Sequence, residues 1–172
     1  MARLRPVTAT DLLQIIALDQ EIFGGYGADE SPAVIAARLA VFPAGCVVLT
    51  DAAAQSETET IVGYLTTEKW ATIREPALDE DPRLTHQPSG TILNITTLAI
   101  APWQQGRGLG SQLVAHAIAL AQQESCTAIV LETAWAARFY EQHGFTIWGQ
   151  RCQRNILLQI MHYALETESN RK

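Results

Sequence analysis

The segment that most restricts the fold runs from Thr91 to Gln123: TILNITTLAIAPWQQGRGLGSQLVAHAIALAQQ. Its first ten residues are β-branched or apolar almost without interruption, which suits a strand covered on both faces. Gly106, Gly108 and Gly110 then fall within five residues. Directly after them Leu109, Leu113, Ala117, Ile118 and Ala121 recur at helical spacing. A buried strand joined to an amphipathic helix by a glycine turn implies an α/β domain. The turn itself is a general device for anions. The first N–H groups of a helix lack partners, the helix dipole favours negative charge there, and glycine lets an anion approach closely.

The 172-residue chain supports one domain, residues 1–172, with a polar tail over 165–172. Residues 3–7 form a short opening strand. A helix follows through DLLQIIALDQEIF, with Leu12, Ile15, Ile16 and Leu18 inward, and Ser31 with Pro32 starts a second helix that runs to about Ala40. Cys46–Thr50 and Ile61–Glu68 read as an antiparallel pair around the polar turn AAAQSETET. Residues 69–90 carry three prolines and read as a long irregular loop, a kind of segment that is commonly functional. After the glycine turn, Ala128–Glu132 is another buried strand. A helix through AARFYEQH ends at Gly144, and FTIWGQ and NILLQIMHYAL close the chain as strands. The sum is a mixed central sheet of about seven strands flanked by about four helices.

Three phosphate-binding patterns compete for the glycine turn. A nucleotide-binding P-loop needs Lys followed by Ser or Thr after its last glycine, whereas Gly110 precedes Ser111 and Gln112. A dinucleotide fingerprint needs a third glycine where Ser111 stands, and it opens a βαβ unit, whereas several strands precede this turn. The third pattern, Gln-x-x-Gly-x-Gly, is met by Gln105, Gly108 and Gly110. A tight turn with no ligand remains the alternative.

Composition narrows the partners. A net charge of −6 removes the bulk electrostatic footprint for nucleic acid. No apolar run reaches the ~18 residues of a membrane span, and no apolar leader follows the two N-terminal arginines. Cys46, Cys126 and Cys152 are too widely spaced for a zinc motif, so no metal is expected, and they read as reduced, buried residues of a cytoplasmic protein.

LAIAPWQQGRGLGSQLVAHAI resembles the acyl-CoA-binding segment of the GNAT superfamily of N-acyltransferases. About thirty residues later ARFYEQHGF resembles that superfamily's second signature, and the order of elements matches its fold across nearly the whole chain. RLTHQPSG, LAIAPWQQGRG and LETAW with FYEQHGF are most similar to the arylalkylamine N-acetyltransferase branch and its bacterial relatives. The resemblance implies acetyl-CoA as cosubstrate. Its pyrophosphate would lie on the N–H groups of Gln105, Gly106, Arg107, Gly108, Leu109 and Gly110, with the Ser111 hydroxyl added, while Arg107 either adds charge or points to solvent. The pantetheine arm would pair with Leu98, Ala99 and Ile100. Tyr140 stands where the family places the donor to the departing thiolate. Thr133 takes the place of an asparagine that many members carry near the cofactor.

The resemblance leaves the base open. Where relatives carry a glutamate or histidines on the central strand, this chain has Asn94 and Thr96, which do not titrate. They can line a water path, with Glu132 the first choice of carboxylate, then Glu68, and His86 the one histidine expected nearby. His116, His143 and His162 read as structural, with His143 at a helix C-terminus. Phe23, Tyr26 and Trp70 fall in or beside the two loops that wall the acceptor site in this fold, with Asp29, Glu30 or Glu68 to face an amine's charge. The implied activity is transfer of acetyl from acetyl-CoA to a small arylalkyl- or polyamine by direct attack. A protein or peptide acetyltransferase and a non-catalytic acyl-CoA-binding module are the alternatives. NILLQIMHYAL is apolar enough to permit a homodimer.

Overall fold

The computed structural model describes residues 1–51 and 59–166. A seven-stranded sheet has the order β1-β2-β3-β4-β5-β7-β6. The strands are β1 (Ala2–Pro6), β2 (Val47–Asp51), β3 (Thr60–Trp70), β4 (Ile92–Ile100), β5 (Ala128–Thr133), β6 (Thr146–Gln153) and β7 (Ile156–Ala164). Only β4 and β5 run parallel; every other neighbouring pair is antiparallel. The α-helices are α1 (Leu12–Phe23), α2 (Pro32–Val41), α3 (Pro82–Thr85), α4 (Leu109–Gln123) and α5 (Ala137–Glu141). This is the α/β architecture expected, with one helix more than the sequence suggested.

Local rules set most boundaries. Ser31 accepts the Val34 N–H and Pro32 stands at the first helical position, so α2 starts where its cap puts it. The β5 stretch AIVL is buried throughout, because it lies inside the sheet with cover on both faces. On α4 the residues Leu109, Leu113, Val114, Ala117, Leu120 and Ala121 face the core.

Three expectations are corrected. The sequence-based strand Ile61–Glu68 extends to Trp70, because Lys69 and Trp70 still pair with Leu93 and Ile92. The supposedly irregular 69–90 loop contains α3, which Asp81 caps by accepting the Arg83 N–H, with Pro82 at its first position. Cys46 and Cys126 are buried, but Cys152 is exposed, since β6 is the sheet's outer strand. The polar turn expected in AAAQSETET falls almost wholly on residues 52–58, outside the described residues, as does most of the polar tail.

The feature that positions a site is the short β4–β5 ladder. It holds Ile92–Ala128, Leu93–Ile129 and Asn94–Val130, and no later pair. β4 continues to Ile100 and β5 to Thr133, with β5 paired to β7 on its other edge along its whole length. The sheet therefore opens as a wedge beyond Asn94 and Val130. One wedge wall is further displaced by a bulge. Thr66 opposes Thr97 and Thr67 opposes Ile95, so Thr96 is the extra residue on β4.

Candidate active site

Two cavities meet at this wedge. The first, of ≈ 350 Å³, runs along Asn94–Ile100 and Leu131–Ala136 and reaches Asp19, Phe23, Glu30, Arg38 and Glu68. The second, of ≈ 490 Å³, is lined by the glycine turn, residues 104–106 and 108–111, and by Phe139. Leu98, Ile100, Gln105, Ala136 and Tyr140 line both.

The second cavity is built from backbone. Gly106 and Gly108 have φ of +75° and +77°, a conformation that side chains with a Cβ rarely adopt. The first bond of α4 is Gln112 N–H to the Gly108 carbonyl, at 3.2 Å. The N–H groups of residues 106–111 have no backbone acceptor among the described residues. They are the unpaired donors of the helix start, and they line a concave surface. Gln105 departs from expectation: its N–H donates to the Pro102 carbonyl at 3.4 Å and its side-chain amide to the Ile100 carbonyl at 3.3 Å. Gly110 has a packing reason, since a Cβ there would stand 3.1 Å from the Phe139 ring. Arg107 is exposed.

Tyr140 sits where the cavities join, held by the end of α5. The Phe145 N–H donates to the Tyr140 carbonyl and the Gly144 N–H to that of Glu141, with Gly144 at φ +88°. This is a Schellman closure, and the Tyr140 and Phe145 rings make its apolar contact at 5.5 Å, edge to face. It explains why Gly-Phe follows the tyrosine. The phenol ring is buried, and its hydroxyl has no partner among the described residues. Burial pushes its pKa up, so the group stays protonated.

Glu132 flanks the wedge at the end of β5. Both oxygens accept from Arg151 on β6, one at 2.8 Å, and the same guanidinium donates to the Pro76 carbonyl and to Gln153. Burial raises the Glu132 pKa, and Arg151 opposes that shift. Thr96 and Thr66 share a hydrogen bond of 2.7 Å. Asn94 is buried, and its Oδ1 has no partner. The Thr133 hydroxyl accepts the Ala136 N–H at 3.0 Å, which shapes the turn between β5 and α5.

The inner end of the first cavity is acidic. Asp19, Glu30, Glu68, Glu80 and Glu132 line it, against one guanidinium, Arg38. Glu68 accepts from Trp70 Nε1 at 2.6 Å and from the Thr85 hydroxyl at 2.8 Å. Asp19 accepts from Tyr64 and from the Glu30 N–H, and burial raises the pKa of both Asp19 and Glu30. Arg38 pairs with Glu30 at 2.9 Å, while its Nε and Nη1 lack partners.

The structure separates other residues that the sequence reading grouped together. Phe23 lines the first cavity. Tyr26 is exposed at the rim, 4.4 Å ring to ring from Trp135, a lining residue the sequence reading missed. Trp70 is corrected: it lies in a buried cluster with Ile92, Ala128 and Val130, behind Glu68 rather than in a cavity wall, because β3 carries it into the sheet. His86 is also corrected: it stacks on Phe42 and accepts the Lys69 N–H, away from both cavities. His143 bonds the Phe139 carbonyl at the helix end, as expected, and in addition reaches Ser111. Among the described residues no group of His, Cys, Asp and Glu can hold a metal ion, and no helix is long and apolar enough to cross a membrane.

Comparison with known proteins agrees with this fold. The loading GNATL domain of CurA from Lyngbya majuscula is 18% identical, with a TM-score of 0.80 over 95% of this chain and 98% of that one. The GphF GNAT-like decarboxylase, in complex with isobutyryl-CoA, is 20% identical, with a TM-score of 0.75 over 95% and 100%. The ribosomal-protein-S18-alanine N-acetyltransferase from Escherichia coli is 15% identical, with a TM-score of 0.65 over 100% and 99%. At such identities the likeness establishes the fold. Curated proteins give no match. The acetyltransferase (GNAT) family model matches residues 12–145, which include both cavities' principal walls. The chain belongs to the acetyltransferase (GNAT) family.

Proposed function

We propose that the protein transfers the acetyl group of acetyl-CoA to a small primary amine, an arylalkylamine or a polyamine, by direct attack in a ternary complex. The observation that carries this reading is the meeting of an anion-binding turn and an acid-lined cavity at the single hydroxyl of Tyr140.

The N–H groups of residues 106–111 hold the pyrophosphate, and Ser111 adds its side-chain oxygen. The β4 edge over Leu98, Ala99 and Ile100, which β5 leaves unpaired, takes the amides of the pantetheine arm. Acetyl-CoA, when bound, supplies a thioester-activated acetyl group. Tyr140, kept protonated by burial, donates a hydrogen bond to the departing sulfur. Asn94 Oδ1 is a buried acceptor that an amine N–H satisfies. Glu132 takes the ammonium's proton, with Thr96 in its path. Glu68 and Phe23 face the rest of the amine, while Thr133 shapes the turn beside the coenzyme.

Five carboxylates favour a cationic acceptor. A small one is favoured by the strap over residues 71–81. Pro76, Ala77, Leu78 and Glu80 line the cavity, and Asp79 is tied to Ser31, Glu30 and Arg154. A peptide groove needs that strap displaced. The same reading takes the protein to be cytoplasmic and allows a homodimer through β6 and β7.

Thiol release from acetyl-CoA with a panel of amines tests the proposal. Turnover is expected with small amines, and Tyr140→Phe is expected to lower kcat about 10²-fold while coenzyme binding is kept. Coenzyme binding without turnover of any amine would make the chain a binding module. Turnover of peptides alone would move it to the protein acetyltransferases.

A further inference from the structure

The ring of His143 joins two elements that the proposed reaction uses separately. Its Nδ1 lies 2.8 Å from the Phe139 carbonyl oxygen, and its Nε2 lies 3.0 Å from the Ser111 hydroxyl oxygen. A carbonyl oxygen only accepts, so Nδ1 carries a hydrogen. In the neutral ring Nε2 accepts the Ser111 hydroxyl hydrogen; in the imidazolium Nε2 donates to the Ser111 oxygen and leaves the hydroxyl hydrogen for the pyrophosphate. A serine hydroxyl rotates freely unless a partner fixes it; here the imidazole fixes it.

The centre of the same ring lies 4.6 Å from that of Phe139, whose edge is 3.1 Å from where a Cβ on Gly110 would stand. The His143 N–H donates to the Tyr140 carbonyl at 2.9 Å. Ser111 and Gly110 belong to the anion-binding first turn of α4, whereas Phe139 and Tyr140 belong to α5. One imidazole thus bridges the turn that holds the coenzyme and the helix end that holds the phenol.

We propose that His143 is a positioning residue that couples the pyrophosphate turn, through Ser111, to the placement of Tyr140. This rests on the coenzyme reading given above. Each side of the bridge can be removed alone. In His143→Asn the amide nitrogen replaces Nδ1 towards Phe139 but falls short of Ser111; in His143→Gln the longer side chain reaches Ser111.

The test is a double-mutant cycle with Ser111→Ala, read as kcat and as KM for acetyl-CoA. Each single substitution, His143→Asn and Ser111→Ala, is expected to raise that KM and lower kcat by about fivefold. The double variant is expected to be no worse than either single. His143→Gln, which keeps the link to Ser111, is expected to recover most of both parameters. Losses that multiply in the double variant would overturn the coupling, as would a His143→Asn enzyme that behaves as wild type. Should His143→Asn lower the apo melting temperature, failure of His143→Gln to recover activity would overturn the proposal as well. A wild-type chain whose melting temperature does not rise with acetyl-CoA overturns the coenzyme reading itself.

Discussion

The two cavities that share Tyr140 are made in different ways. The cavity proposed for the coenzyme is backbone: a turn with two left-handed glycines, the open start of α4, and an unpaired strand edge. The cavity proposed for the acceptor is side chains held by partners distant in sequence: Glu132 by Arg151, Glu68 by Thr85, and the strap's Asp79 by Arg154. A backbone cradle tolerates change in most side chains and fails where a Cβ cannot adopt the required φ. A side-chain cavity fails wherever one member of a pair is lost.

The largest effect is expected at the acceptor wall. Glu132→Gln keeps the shape but removes a titrating oxygen, and kcat is expected to fall about 10²-fold, the lower range for a general base. The pH profile gives the sign. Burial raises the Glu132 pKa, so as pH falls through that raised value the carboxylate is protonated and activity is lost. Arg151 holds the value down, so Arg151→Met is expected to move the acid limb of kcat/KM to higher pH. In Glu132→Gln that limb is expected to vanish, leaving only the titration of the amine. A limb that survives in Glu132→Gln at the wild-type position, and does not follow the pKa of the amine used, belongs to another group, and the base must then be sought at Glu68 or Asp19.

A smaller effect is expected in the backbone cradle, and it should fall on coenzyme alone. Gly108→Ala puts a Cβ at φ +77°, where the cost is roughly 1–2 kcal/mol. The turn can relax into an allowed conformation only by turning its N–H groups away. Calorimetry with coenzyme A is expected to show about tenfold weaker binding, with the amine KM unchanged. Equal affinity would mean that the N–H groups of the turn do not hold the pyrophosphate. Gly110→Ala is the contrasting case: its φ is ordinary, and its cost comes from the Phe139 ring at 3.1 Å.

That contrast also explains what could be read from the sequence. The glycine turn, the caps of α2 and α5 and the buried β5 run are local, so residue type and spacing reveal them. Tyr140 is singled out by the resemblance of FYEQHGF, whose Gly144 and Phe145 close α5 by local hydrogen bonds. The acceptor side depends on which distant side chains meet. Nothing near Trp70 in sequence shows that β3 continues two residues into the sheet, where burial among Ile92, Ala128 and Val130 takes the indole out of the wall. His86 was expected near the site because its loop was, yet α3 turns the ring onto Phe42. Trp135 lay next to a strand end with no motif around it, and only the partner ring of Tyr26, more than a hundred residues away, gives it a role. The bridge from His143 to Ser111 is of the same kind.

The smallest expected effect concerns that aromatic pair. Trp135 lines the first cavity, and both rings are more than half exposed, Tyr26 at 57% and Trp135 at 65%. Exposed rings in contact at 4.4 Å present an apolar, quadrupolar surface at the mouth of an acid-lined cavity. On the proposed function an approaching ammonium would meet the ring faces first and the carboxylates after, so amines would be favoured over neutral acceptors at both stages. Trp135→Ala is expected to raise the amine KM about threefold to tenfold, with less effect from Tyr26→Ala, because Tyr26 acts by supporting the indole. The KM for acetyl-CoA should stay within twofold, since the rings do not line the coenzyme cavity. A rise in both KM values would instead mean that the pair holds the β5–α5 turn in place. Its role would then be to support the Ala136 and Tyr140 wall that the two cavities share.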